Sequence, residues 1–167
     1  MTDASASVTC GIGFADLTGF TSLTQVLTPT DLFEMLVEFG GSVSDIVHAD
    51  GGRVVKFIGD EVMWVTSTPE VLAKVAMDLV EHPRVRETGL QVRAGLGYGS
   101  VLAIAGDYFG TPVNLAARLV GAAAPGQILA STDLRDELGD WPAIPQEPLI
   151  LKGFDSPVMA YDLNVSR

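Results

Sequence analysis

The sequence predicts an α+β fold built on a ferredoxin-like βαββαβ core with a C-terminal elaboration, and three observations carry that expectation. Strand-like alternation and helix-like spacing follow one another in the order β-α-β-β-α-β. Three of the helical runs open on the same start signal, a threonine followed by proline. The two middle strands are parted by a few residues of turn type and read as a hairpin. At 167 residues the chain is expected to form a single domain, 1–167, with its core from about residue 8 to 163.

Val8, Cys10, Ile12 and Phe14 alternate with smaller residues as a first strand that ends near Asp16. Thr28-Pro29-Thr30-Asp31 then sets a hydroxyl cap, a proline at the first helical position and an acid at the third. Leu32, Leu36, Phe39, Val43, Ile46 and Val47 recur at helical spacing until Asp50-Gly51-Gly52 stops the run. Residues 53–57 and 62–66 flank Ile58-Gly59-Asp60-Glu61, which places Asp60 in a hairpin turn. Thr68-Pro69 opens a second amphipathic helix through Val71, Leu72, Val75, Ala76, Leu79 and Val80, ending before Pro83. Leu90, Val92, Ala94 and Leu96 alternate as a strand with Arg93 on the opposite face, and residues 101–105 read as another strand. Residues 106–111 read as a loop, after which Thr111-Pro112 opens a third helix. On it Asn114 and Arg118, four apart, share a face. Residues 127–131 are expected as a strand, 132–138 as a short helix and 141–148 as a loop, before extended segments at 149–152 and 158–163.

Composition narrows the function. With 47% apolar residues the chain can bury a core without staples, which excludes disorder as a description of the whole. Ten Lys and Arg against 21 Asp and Glu leave a net charge of −11, a surface that repels a polyphosphate backbone, so nucleic acid is not expected as a partner. An anionic ligand would require the few cations to be gathered at its site. One cysteine, Cys10, excludes an internal disulfide, and His48 and His82 are too few for a His/Cys zinc cluster. No stretch approaches the roughly 20 apolar residues of a membrane span, and residues 1–7 lack a signal-peptide pattern, so a cytoplasmic location is expected.

The chain has no nucleophile elbow and no Gly-Lys pair, which removes hydrolase-triad and Walker-loop readings. Gly11-Ile12-Gly13 and Gly95-Leu96-Gly97-Tyr98-Gly99 lie inside strand patterns and read as positions of close backbone packing rather than a dinucleotide fingerprint. Carboxylate chemistry remains. Asp16 at a strand end and Asp60 in the hairpin turn become neighbours if their strands pair, and two such carboxylates suit Mg²⁺, which fills its shell from water and phosphate. Either aspartate taken alone also reads as a turn or cap residue. Thr18-Gly19-Phe20-Thr21 follows Asp16 as a turn leading into a helix, a place where backbone N–H groups can meet a triphosphate.

Three segments closely resemble motifs of the class III nucleotidyl cyclase catalytic domain. They are Phe14-Ala15-Asp16-Leu17-Thr18-Gly19-Phe20-Thr21, Lys56-Phe57-Ile58-Gly59-Asp60-Glu61, and the run from Gly106-Asp107-Tyr108-Phe109-Gly110 through Asn114 to Arg118-Leu119. Pro125-Gly126-Gln127-Ile128 and Leu151-Lys152-Gly153 continue the resemblance in order.

The resemblance implies an adenylate cyclase that turns ATP into 3′,5′-cyclic AMP and pyrophosphate. It implies that Asp16 and Asp60, helped by the backbone carbonyl of Leu17, bind two divalent ions, Mg²⁺ or Mn²⁺. Lys56 and Asp107 would read the base, Asn114 would position the ribose, Arg118 would stabilise the transition state, and Arg93 and Lys152 would contact phosphates. It also implies a homodimer with two shared sites and a possible fused or separate regulatory domain. Singly, Lys56 also reads as a solvated strand lysine, Arg93 as a surface cation, and Asn114 with Arg118 as an ordinary helix pair. Two further readings are a catalytically silent nucleotide-binding or dimerisation module, and a diguanylate cyclase, whose hairpin signature differs from Ile58-Gly59-Asp60-Glu61-Val62 at both ends.

Overall fold

A computed structural model describes residues 7–87 and 89–167, and of Arg84 the backbone only. The polar N-terminal residues 1–6 lie outside the described residues. The elements in chain order are β1 (Ser7–Thr18), α1 (Phe20–Leu23), α2 (Pro29–Ala49), β2 (Arg53–Ile58), β3 (Glu61–Thr66), α3 (Pro69–Glu81), α4 (Pro83–Glu87), β4 (Gln91–Ile104), β5 (Asp107–Phe109), α5 (Thr111–Ala122), β6 (Ile128–Ser131), α6 (Thr132–Glu137), β7 (Ile144–Pro145) and β8 (Ala160–Asp162).

The strands form one sheet in the order β2-β3-β1-β4-β6-β8-β7, with β5 paired to β4 off that path. Its first four strands, β2-β3-β1-β4, are antiparallel neighbours throughout, as the split βαβ pattern requires. Two of the three threonine-proline signals act as read: Thr28 accepts a hydrogen bond from the N–H of Asp31 and Thr68 one from Val71, satisfying an otherwise orphaned donor in each helix, whereas at Thr111-Pro112 the cap position is Gly110 and no side chain caps the helix.

Alternation along β1 divides the core. Ala15 and Leu17 join Trp64, Leu72, Ala94 and Leu96 beneath α2, α3 and α6, whereas Ile12 and Phe14 join Met63, Ala116 and Val120 beneath α5. Burying Trp64 completely is worth about 1.5–3 kcal/mol, of which its unpartnered indole N–H gives some back. The glycines act as packing positions. A Cβ on Gly13 would enter the Trp64 ring, and one on Gly95 would collide with the backbone of Ala116 and Val120, so α5 lies directly on β4.

Three expectations are corrected. The strands expected at 90–96 and 101–105 are one 14-residue strand, because β1 pairs with β4 from Ser7↔Leu102 to Thr18↔Gln91 without a break. The loop expected at 106–111 contains β5, turned back onto β4 by Ala105 and Gly106, both at positive φ, so that Leu102 faces Phe109. The expected 141–148 loop contains β7, paired with β8. The second helix ends before Pro83 as expected, and Pro83 starts the further short helix α4.

Candidate active site

The first group of side chains sits on the central strands. Asp16 and Arg93 are directly opposite in the β1–β4 ladder, and Nε of Arg93 donates to Oδ1 of Asp16 at 2.7 Å while its Nη2 donates to Oδ2 at 3.1 Å. This two-point pairing is the geometry a guanidinium favours. Nη1 of Arg93 donates to the carbonyls of Gly121 and Ala123 at the end of α5, at 3.2 and 3.1 Å, where the helix dipole favours a cation. Asp60, in the β2–β3 turn, accepts the backbone N–H of Leu17 on Oδ2 at 3.1 Å, which ties the turn to β1. Asp16, Leu17, Asp60 and Arg93 therefore meet at one end of the sheet, as expected from the strand order.

Burial pushes the Asp60 carboxyl above the usual carboxylate range, against the Leu17 N–H, and the nearby Asp16 charge adds to the rise. Glu61 is also raised, first by burial and then by the charges of Asp16 and Asp60. Arg93 is raised by its hydrogen bond to Asp16 and by the three acids around it. The cluster thus holds three carboxyl groups against one guanidinium, a site that stabilises added positive charge.

Beyond Asp16 the chain turns at Gly19, whose φ of 86° favours glycine, into the four-residue α1. Gly19 offers no side-chain cap to α1, and the hydroxyl oxygen of Thr18 is buried with no hydrogen-bond partner. Phe20 packs against the core and Thr21 is exposed, its carbonyl accepting the hydroxyl of Thr24.

A second group lies on the face of the sheet that α5 covers. Nζ of Lys56 donates to Oδ2 of Asp107 at 2.6 Å, and Oδ1 of Asp107 accepts the backbone N–H of Tyr108 at 2.8 Å. Both hydrogen bonds hold the Asp107 carboxyl below its ordinary value, the one from Lys56 contributing more. A bulge aims Lys56. Val54 stands opposite Trp64 but Lys56 stands opposite Met63, so Val55 is the extra residue and Lys56 comes to the Met63 face of the sheet. With the pair's side chains 40% and 32% exposed, the ion pair contributes only about 0–1 kcal/mol and is readily exchanged for a ligand.

Asn114 and Arg118 form a third group on the exposed side of α5, and Nε of Arg118 donates to the carbonyl of Lys152 at 3.1 Å. The backbone of Lys152 is thereby held against Arg118. Among the described residues, no hydrogen bond or ion pair joins Asp16, Asp60 or Arg93 to Lys56, Asp107, Asn114, Arg118 or Lys152.

The family model described as the adenylate and guanylate cyclase catalytic domain matches residues 3–164. The chain belongs to this cyclase family. It is 68% identical over 162 residues to an uncharacterised protein of Mycobacterium tuberculosis strain H37Rv, covering 97% of this chain and 43% of that protein. An adenylate cyclase of Streptomyces coelicolor is 41% identical over 127 residues, 76% of this chain and 33% of that one. The chain thus spans less than half the length of these curated relatives. The solved structure of the adenylyl cyclase CyaB from P. aeruginosa matches with a TM-score of 0.84 and 27% identity over 93% of each chain. The fold is that of a cyclase catalytic domain.

Cyclase domains of this class generally use divalent metal ions, and the donors of this cyclase domain fit one. Among the described residues there is no cluster of three His, Cys, Asp or Glu side chains able to hold a metal by themselves. Asp16 and Asp60 instead offer hard oxygen donors, with the Asp16 charge close enough to add to the cost of ionising Asp60, a set suited to an ion that completes its shell with phosphate oxygens and water. No helix among the described residues is long and apolar enough to cross a membrane.

Sequence reasoning assigned no role to Glu61, Arg53 or Tyr108. Glu61 was legible as the acid beside Asp60, whereas the approach of Arg53 to Tyr108 depends on how β5 folds back and had no sequence signal.

Proposed function

We propose that this domain is an adenylate cyclase domain that converts ATP into 3′,5′-cyclic AMP and pyrophosphate, in a homodimer with two shared sites. The observation that carries the reading is the Lys56–Asp107 pair, a donor and an acceptor held side by side at 2.6 Å. Adenine presents an acceptor at N1 beside a donor at N6, which Lys56 and Asp107 complement. Guanine reverses both, and would leave two polar groups unpaired, the kind of mismatch that discriminates strongly. Relatives named adenylate cyclase support the same choice.

In the proposed reaction the ribose 3′-oxygen bonds to the α-phosphorus in line as the bond to the pyrophosphate oxygen breaks, and the hydroxyl proton is released. Asn114 orients the ribose, and Arg118 meets the charge that builds on the α-phosphate, a contribution of about 10³–10⁵ where an arginine does this in other phosphoryl transfers. Lys152, beside Arg118, and Arg93 face the remaining phosphates, and the Thr18–Gly19–Phe20–Thr21 turn lends backbone N–H groups to them. Asp16, Asp60 and the Leu17 carbonyl would hold two divalent ions, which when bound would supply a lowered pKa at the 3′-hydroxyl and stabilisation of the leaving-group charge.

Each proposed site takes Asp16, Asp60 and Arg93 from one chain and Lys56, Asp107, Asn114, Arg118 and Lys152 from the other. The lack of any hydrogen bond or ion pair between the two sets within one chain, among the described residues, supports completion by a second copy. Assays with ATP and GTP in parallel, with Mn²⁺ or Mg²⁺, should yield cyclic AMP, abolished by Asp60→Ala. ATP binding without turnover in a verified dimer would favour the silent module. Mixing Asp16→Ala with Arg118→Ala chains, each inactive alone, should restore one whole site, and failure in a demonstrated heterodimer would sink the shared arrangement.

A further inference from the structure

Lys56 and Asp107 are carried by the two least supported strands near the site. β2 is the edge of the sheet and pairs only with β3, and β5 has three residues, paired to β4 through Leu102, Ala103 and Ile104. Among the described residues, hydrogen bonds between side chains join β2 to β5 at two places. One is Lys56–Asp107. The other is Arg53–Tyr108, in which Nη2 of Arg53 donates to the phenolic oxygen at 2.6 Å and the guanidinium carbon lies 5.5 Å from the ring centroid.

These two links stand on opposite sides of the Val55 bulge. Arg53 faces Val65 and Lys56 faces Met63, both partners belonging to the apolar cluster against which Tyr108 also packs. The 2.6 Å contact uses one of the three Lys56 donors and one Asp107 oxygen, so a base that hydrogen-bonds to each competes with that contact. Arg53–Tyr108 is the side-chain link between the two strands that such a base leaves untouched.

We propose that Arg53 and Tyr108 are positioning residues for base selection, a strap that fixes the spacing of Lys56 and Asp107 while a base competes for their ion pair. The proposal rests on the reading of Lys56 and Asp107 given above. Neither residue touches the base. The strap spends its hydrogen bond on holding the β5 backbone, and with it Asp107, in register with the bulged β2. A looser arm lets Asp107 and Lys56 meet either purine, so selectivity falls before turnover does.

The test compares Arg53→Ala, Arg53→Lys and Tyr108→Phe with the wild-type protein, using ATP and GTP in parallel. Tyr108→Phe keeps the ring packed against its cluster, so an unchanged thermal midpoint shows that the fold is intact. The kcat/KM ratio of ATP to GTP should fall about tenfold in Arg53→Ala, the loss of one hydrogen bond of about 1.4 kcal/mol, mostly through a raised KM for ATP. Tyr108→Phe should fall in the same direction, and Arg53→Lys should recover part of the ratio. A ratio within about twofold of wild type in both Arg53→Ala and Tyr108→Phe overturns the strap while leaving the cyclase reading intact. Wild-type protein that makes no cyclic nucleotide, or that prefers GTP, overturns the substrate reading instead. The strap is then judged by the binding ratio of 3′-deoxy-ATP to 3′-deoxy-GTP, where a shift in the variants supports it and none overturns it.

Discussion

Asp16 and Arg93 face each other across β1 and β4, the two long central strands, whereas Lys56 and Asp107 reach one another from an edge strand and a three-residue strand. In the central half the backbone ladder presets the geometry: Arg93 is held by four hydrogen bonds, two to Asp16 and two to α5 carbonyls. In the outer half the geometry depends on side chains meeting side chains, and the half-exposed Lys56–Asp107 pair can part at little cost. Under the proposed function, rigid placement suits groups that hold highly charged phosphates in line, and an exchangeable pair suits groups that read a base.

The largest effect expected falls on the central half. Asp60→Asn should lower cyclic-nucleotide formation by about 10³-fold or more, and a variant within about tenfold of wild type in a turnover assay would remove Asp60 from the machinery. Next in size is the support beneath α5. Gly95→Val should cost about 3 kcal/mol or more in denaturant unfolding, because its side chain meets the backbone of Ala116 and Val120. Gly121→Ala, whose added methyl meets nothing within 4 Å, should instead stabilise the same helix by about 0.5–1 kcal/mol.

The outer half should show the reverse pattern. Lys56→Ala is expected to reduce kcat/KM for ATP by about 10²-fold while changing unfolding free energy by less than about 1 kcal/mol. A stability loss larger than the loss in specificity would erase the contrast between the halves. The smallest effect concerns pH. Asp60 and Glu61 are raised in the folded state, so between the usual carboxylate range and their raised values the folded chain holds more protons than the unfolded chain. Stability contributed by these groups is present at low pH and declines as pH rises through that interval. Asp60→Asn, which can still accept the Leu17 N–H, should therefore stabilise the metal-free protein at neutral pH by less than about 1 kcal/mol and flatten this decline, as read from unfolding at several pH values.

Much of this was legible in advance where the physics is local. The Thr28-Pro29 and Thr68-Pro69 starts needed only capping rules, and the strand order needed only the alternation that put Asp16 and Asp60 at adjacent ends. The packing roles of Gly13 and Gly95 followed from glycines inside strand patterns. The errors arose where pairing outweighs propensity. The alternation read at 90–96 and at 101–105 suggests two strands, yet β4 is continuous because β1 pairs along almost all of it. The run of Gly106 to Gly110 suggests a loop, yet Asp107, Tyr108 and Phe109 find partners on β4.

The acidic balance was the other early constraint, since ten cations must serve any anion against 21 carboxylates. The structure distributes those cations rather than pooling them: Arg93 lies against Asp16, Lys56 against Asp107, and Arg118 beside Lys152. The sequence by itself determined the fold class, the order of the core strands and which residues are candidates for the chemistry, because periodicity, capping and motif spacing are properties of neighbours along the chain. Only the tertiary structure decided that Val55 is a bulge, that Lys56 consequently faces Asp107, and that Arg53 reaches Tyr108. A one-residue shift in register turns a side chain to the other face of a sheet, and that register is set by partners distant in sequence.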